Sequence, residues 1–462
     1  MITFCQCLTL ALLLQAGSAL AGSPDETLLV PGQALGPLRQ GNSVVEDGAV
    51  VMDERSQLLV GMPGGYTGQA GTVFLHRWQD GSWQVHQILT APAQYLQTGA
   101  RFGQALASQG PWLLVGAPRE TVNGVTEAGA GYLFRRRTSD DRYELLAAGR
   151  IVQQGVTGSA RRLGSAVAIG DNFAALGVPG HSAFGATQVG QVVTLARQPN
   201  DVWLNTGVIN LPAGSPAGGA AFGAALLMDV TGSELFVAAP DQTVSNQALA
   251  GRVYVYRHNS GTWPLLQQLS WTPTDLLDRF GSAMALAGGR LFIAAPARSK
   301  PASAHTKGGG VGVYRFYAGL NSWVSEADLF PQTAQAGARF GQALSARSGA
   351  VGPQLLVGVP RRNLGTLLIE VRSEAGEAVL FEPLPAGGGY DYIETSALRW
   401  AGSIQASASG NRLGSSVLLA SRNGLLFAAT AAPGRSEDGG QTAGWVQTWI
   451  GDQIFGNSFE QP

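Results

Sequence analysis

The chain has 462 residues, of which 45% are hydrophobic and 13% charged, with 64 glycines. It can bury a large core and does not have a disordered composition. Thirty basic residues against 31 acidic ones leave no excess charge that would mark nucleic acid or an anionic membrane as partner. The two cysteines, Cys5 and Cys7, lie at the extreme N-terminus, so the rest of the chain has no disulfide, thiolate metal site or thiol nucleophile.

The apolar run Leu8 to Leu14, followed by Ala19-Leu20-Ala21, reads as a signal peptide over 1–21, and export is expected. No other stretch is long and apolar enough for a membrane helix, so no membrane span is expected. The body, 22–450, reads as one array of seven units, with a tail at 451–462. In each unit a Phe-Gly pair or its equivalent opens a run of small residues, as in RFGQALASQGPWLLVGAP (101–118). The glycines fall at Gly48, Gly103, Gly164, Gly223, Gly281, Gly341 and Gly414, spaced 55 to 73 residues apart. A second apolar run then ends in proline, at Pro63, Pro118, Pro179, Pro240, Pro296, Pro360 and Pro433. Units of this length at a near-constant period decide the architecture.

A third segment follows a glycine in each unit: Gly71, Gly131, Gly190, Gly251, Gly312, Gly376 and Gly444. RVYVYR (252–257) shows the alternation of a strand. After a turn, a fourth segment opens on Trp83, Tyr143, Trp203, Trp263 or Trp323, so the third and fourth segments read as a hairpin. In the sixth unit the aromatic is Tyr390 or Tyr392, and 361–375 reads as an enlarged loop that could carry an extra strand.

Each unit is therefore four short strands. The expected fold is all-β, a seven-bladed β-propeller of four-stranded antiparallel blades starting near 46, 101, 162, 221, 279, 339 and 412. The seventh unit ends after its third strand, while ETLLVPGQALGPL (26–38) has no unit of its own. Residues near 27–35 are expected to complete the last blade and close the ring.

Phe102-Gly103 with Gly116-Ala117-Pro118, and Phe280-Gly281 with Ala294-Ala295-Pro296, resemble the FG-GAP repeat of the integrin α-subunit propeller and of bacterial exported proteins. The resemblance runs through all seven units and implies the fold rather than an activity. The calcium-binding form carries a D-x-[DN]-x-DG loop within the unit. The segments here, among them ASQGPW (107–112) and MDVTGSE (228–234), lack its alternating oxygen ligands, so no bound calcium or other cofactor is expected. DQIFGNSFE (452–460) is similar to a short ending seen on some exported proteobacterial proteins.

No catalytic constellation emerges. His76, His86, His181, His258 and His305 fall in different units without metal-ligand spacing, and His76 and His258 end third strands, where solvent exposure is expected. There is no nucleophile elbow or phosphate loop. Arginine precedes the Phe-Gly or Leu-Gly pair at Arg101, Arg162, Arg279, Arg339 and Arg412, which would form a ring on one face or tie each blade to its neighbour. The loops after the prolines vary most, and equivalent loops lie together on one face. Tyr66, Arg119, His181, Arg298 and Arg361 are the contact candidates there. The expectation is a monomeric, exported, non-catalytic binding or adhesion propeller whose partner is a protein or glycan. The alternatives are an enzyme acting on extracellular polysaccharide through axial carboxylates, and a structural surface component.

Overall fold

A computed structural model describes residues 26–29 and 49–450, apart from 65–69, 80–81, 156–157, 184, 216–217, 301–306, 365–373, 387–388, 400–409, 411, 423–424 and 433–444. The signal segment 1–21, Glu46 and Gly48, residues 30–35 of the closing stretch, Tyr66, the core of the sixth-unit loop, Gly444 and the tail 451–462 lie outside the described residues.

The strands form seven four-stranded antiparallel sheets. Blade 2 is typical, with strands Ala105–Gln109, Trp112–Ala117, Ala130–Arg136 and Tyr143–Ile151 in that spatial order. The inner strands of successive blades touch in sequence, and the last, Ser416–Arg422, meets the first, Val50–Met52, so the blades circle an axis. The N-terminal strand Glu26–Leu29 pairs antiparallel with Trp445–Ile450 and supplies the outer strand of blade 7. Among the described residues, no helix is long and apolar enough to cross a membrane.

The core lies between blades. Seven apolar clusters occupy the seven junctions. The one between blades 1 and 2, for example, packs Leu59, Val73 and Leu75 against Phe102, Leu113, Val115 and Tyr132. The second strand of each blade is sandwiched by both neighbours, which is why Trp112–Ala117 and Arg290–Ala295 are buried along their whole length. Farther out, the aromatic of the fourth segment packs edge-on against an aromatic of the preceding blade. The pairs are Trp83 with Phe427, Trp203 with Trp112, Trp263 with Phe173, Trp323 with Phe236 and Tyr392 with Phe292, at centroid distances of 5.4–5.8 Å.

Among the described residues, backbone contacts lock six junctions. The Phe102 N–H donates to the Ala70 carbonyl across the junction (2.9 Å), and Gly71 bridges Phe102 in parallel register. In the next junction Gly129 holds this place with φ +84°, and a Cβ on it would fall 2.3 Å from the Leu163 carbonyl oxygen. Only glycine permits that approach. The same contact recurs at Gly190, Gly251, Gly309 and Gly376. The equivalent glycines of blades 2 and 5 are thus Gly129 and Gly309, not Gly131 and Gly312. Both stretches hold several glycines, and only the packing identifies the one that meets the next blade.

Two predictions follow from the junctions. Deleting residues 22–40 removes the strand that closes blade 7 and is expected to lower the melting temperature by about 5 °C or more; an unchanged melting curve would refute the closure. Gly129→Ala, which adds both backbone strain and a backbone clash, is expected to cost about 2 kcal/mol or more in denaturant unfolding.

Candidate binding face

Strand order puts the entry to the inner strand and the connection between second and third strands at the same end of every blade. The entry is a tight turn. The Gln104 N–H donates to the Arg101 carbonyl (3.1 Å), with Gly103 at φ +89°. Glycine suits that third turn position because it needs positive φ. Arg101, Arg162, Ala221, Arg279, Arg339 and Arg412, which open the turns, are themselves left-handed, with φ of 54–62°. The Ser165, Ser282 and Ser415 hydroxyls donate to the carbonyls of Arg162, Arg279 and Arg412 at 2.7–2.8 Å. This backbone sends Phe102, Phe280 and Phe340 into the junction, fully buried, while Arg279 and Arg339 stay exposed and Arg101, Arg162 and Arg412 half-buried around the axis.

Arg162, Arg279 and Arg412 each face the residue two before the latch glycine of the preceding blade, donating their N–H groups to the carbonyls of Glu127, Leu249 and Glu374 at 2.9 Å. Arg162 donates its N–H to the Glu127 carbonyl and its Nε to Glu127 Oε2, both at 2.9 Å, and Arg412 repeats both bonds with Glu374 at the same distances. A second arginine reaches each of these acids: Arg119 lies 3.7 Å from Glu127, and Arg361 lies 3.7 Å from Glu374. Arg279 sits 3.2 Å from Asp241. In blade 5 the facing position is Lys307, and Arg339 has no acid partner among the described residues. Partial loss of solvent, then the guanidiniums of Arg361, Arg279 and Arg412, hold the Arg339 pKa below its usual value, with Glu374 opposing.

Among the loop candidates, position relative to the proline decides direction. The first residue after it stays half-buried at the loop face and carries Arg119, Asp241 and Arg361. The second turns inward. Glu120 accepts from the Tyr132 hydroxyl (2.6 Å) and from Arg150 (2.6 Å), and burial raises its pKa against those bonds. Arg298 holds this second position, so it is not a surface contact. It is buried, donates to Asp278 (2.6 Å) and lies over Trp271. His181 is half-buried, and burial, then Arg161, lowers its pKa. Sequence reasoning missed Glu127, Glu374, Asp241 and Lys307. Their fixed offset from the latch glycine or the proline is the signal that could have found them.

The connections between first and second strands lie at the opposite end. There Asp229 is occupied by its own loop, accepting from Thr231 Oγ (2.5 Å), Ser233 Oγ (3.0 Å) and the Glu234 N–H (2.7 Å). Among the described residues, no three His, Asp or Glu side chains converge as a metal site would require.

No protein-family model matches the chain, and no curated protein matches it in sequence. Among solved structures, a candidate 6-phosphogluconolactonase of Bacteroides fragilis aligns with a TM-score of 0.50 at 12% identity, over 78% of this chain and 86% of that one. The periplasmic gluconolactonase of Pseudomonas aeruginosa aligns at 0.47 and 14% identity, over 84% of this chain and 96% of that one. At such identity the likeness to the Bacteroides protein is one of fold.

Of the histidines at the ends of third strands, His76 is buried and His258 half-buried. His258 stacks on Phe173 at 4.1 Å and meets Trp263. His76 is 1% exposed, opposite Leu58, and neither ring nitrogen makes a well-formed hydrogen bond. Burial in the junction beside Phe74 lowers its pKa from 6.5 to about 4. A folded value below the unfolded one means that the unfolded chain takes up the proton first. The stability that neutral His76 contributes is therefore complete above pH 6.5 and is lost as pH falls toward 4. His76→Leu is expected to remove up to about 3 kcal/mol of the difference between unfolding free energies at pH 7 and pH 4. Equal acid sensitivity in both proteins would contradict this.

Proposed function

We propose that this chain is an exported, non-catalytic propeller of the FG-GAP type that binds a protein or glycan on the face carrying its entry-turn arginines. One observation carries the reading. Arg119, Arg162, Arg279, Arg339, Arg361 and Arg412 lie on a single face of a fold whose blades are locked backbone to backbone, so a rigid ring presents directional donors. The connections on that face differ in length and type from blade to blade, as a recognition surface requires. The segment Leu8 to Ala21 supports export, and the repeated Phe-Gly turns support the family.

A catalytic reading rests on Asp241. Burial raises its pKa against Arg279, and its Oδ1 lacks a well-formed hydrogen bond. Such a carboxyl could move a proton. The lactonase name of the Bacteroides protein makes sugar lactones, with polysaccharides, the substrates to try. Glu127 and Glu374, by contrast, are each held by two arginines, which favours binding over proton transfer.

The test is a glycan and extracellular-protein array probed with the full chain and with an Arg119→Glu/Arg361→Glu double variant. The expected result is a ligand retained by the wild type and lost by the double variant at unchanged melting temperature. Turnover of a lactone or polysaccharide that disappears in Asp241→Asn would replace binding with catalysis.

A further inference from the structure

Among the described junctions the position two before the latch glycine is an acid at Glu127 and Glu374, neutral at Gln188 and Leu249, and a cation only at Lys307. Glu127 ties the arginine of blade 3, and Glu374 ties that of blade 7, each through backbone and side chain. The corresponding residue before blade 6 is Lys307, left-handed like both glutamates (φ 59° against 49°). Lys307 turns away from the ring. Its ammonium donates to the Leu276 carbonyl and lies 3.6 Å from Asp275. Arg339 is left exposed and makes no ion pair among the described residues; the Arg361 N–H donates to the adjacent Ala338 carbonyl (3.1 Å), and the charges of Arg361, Arg279 and Arg412 reach Arg339, opposed by that of Glu374. The acids nearest this sector are already engaged, Glu374 by Arg361 and Arg412, and Asp241 by Arg279.

A guanidinium holds its donors in a planar fork that matches the paired oxygens of a carboxylate or sulfate. Several guanidiniums facing one another without enough acid between them repel, and an oxyanion seated among them relieves that repulsion. From this we infer that Arg339, with Arg279 and Arg361, forms an oxyanion subsite on the loop face that takes the carboxylate or sulfate groups of an acidic glycan. The inference rests on the reading of the face as a binding surface and narrows it to one ligand chemistry and one sector. A glycan carrying an anion on each sugar suits a ring that offers cations from blade after blade, whereas a ligand with one anionic group would engage a single blade. The absence of an acid at 307 gives the subsite its specificity, because a glutamate there would tie Arg339 as Glu127 ties Arg162.

The experiment is titration calorimetry of the full chain with oligogalacturonate, a sulfated oligosaccharide, inorganic sulfate and a neutral oligosaccharide. Arg339→Ala, Arg339→Lys and Lys307→Glu are measured beside Arg137→Ala, a control at the opposite end of the blades. Oligogalacturonate or the sulfated chain is expected to bind, and the two probes report which group is preferred. Arg339→Ala and Lys307→Glu should each weaken it about tenfold or more, Arg339→Lys less, and Arg137→Ala not at all. Arg339→Ala keeps the test decisive if Lys307→Glu folds poorly. Anionic binding undiminished in Arg339→Ala, or binding of inorganic sulfate alone, overturns the subsite. Failure of both acidic oligosaccharides overturns it too. If a ligand is then found on the array and lost in the Arg119→Glu/Arg361→Glu variant, the binding face stands without the subsite.

Discussion

The structure depends on one contact repeated around the ring: the backbone of each Phe-Gly turn pressed against the glycine that starts the third strand of the blade before it. At Gly129, as at five other junctions, a Cβ would fall within 2.1–2.3 Å of the neighbouring carbonyl oxygen, so the two backbones are as close as peptides can pack. A short parallel ladder forms between blades here, for example where the Phe222 N–H donates to Val189. It satisfies polar backbone that would otherwise be buried without partners. A four-stranded blade has two apolar faces and cannot stand alone. This latch sets the angle at which the next blade covers one of them.

That angle explains the distribution of side chains. The wedge is narrow at the axis, where the inner strands place alanines such as Ala105, Ala168 and Ala285, and widens outward to take aromatic pairs such as Trp203 with Trp112. The pairing of third and outer strands slips by a residue at a similar place in several blades, as between Thr194 and Leu195 and between Val255 and Tyr256. Such bulges increase twist where the blades diverge. The latch also determines what the turn presents. The residue before Phe-Gly must be left-handed, and its side chain is thrown out around the axis. A position selected by backbone geometry thereby becomes the ring of arginines.

The arginines then differ by what the preceding blade offers them. Arg119, Glu127 and Arg162 form one triad, and Arg361, Glu374 and Arg412 form its counterpart. Exposed ion pairs contribute little to stability, so these triads act mainly to orient guanidiniums. Lys307, the one cation among the described residues at that position, leaves positive charge concentrated in the sector of Arg339. The opposite end of the blades uses its charges internally: Asp53 accepts from the Arg55 and Gln57 N–H groups and from the Tyr143 hydroxyl across the first junction.

The seven units, their four strands and the ring closure by the N-terminal strand were legible in the chain, because a repeat exposes its own register and strand alternation is a local property. The equivalence of Arg162, Arg279 and Arg412 was legible for the same reason. The partners were not. Glu127 belongs to a different blade from Arg162, and nothing local ties the two positions. The inward turn of Arg298 and the burial of His76 depend on what the preceding blade sets against them, Trp271 and Asp278 for the one and the junction of Phe74 with Phe427 for the other. Choosing Gly129 over Gly131 likewise required the neighbouring backbone. Sequence by itself determined the repeat and the residue types at each register, since these follow from steric preference and periodicity within one unit. Only the tertiary structure decided which of those residues are buried, paired or left charged, since each such outcome is set by contact between two units far apart in the chain.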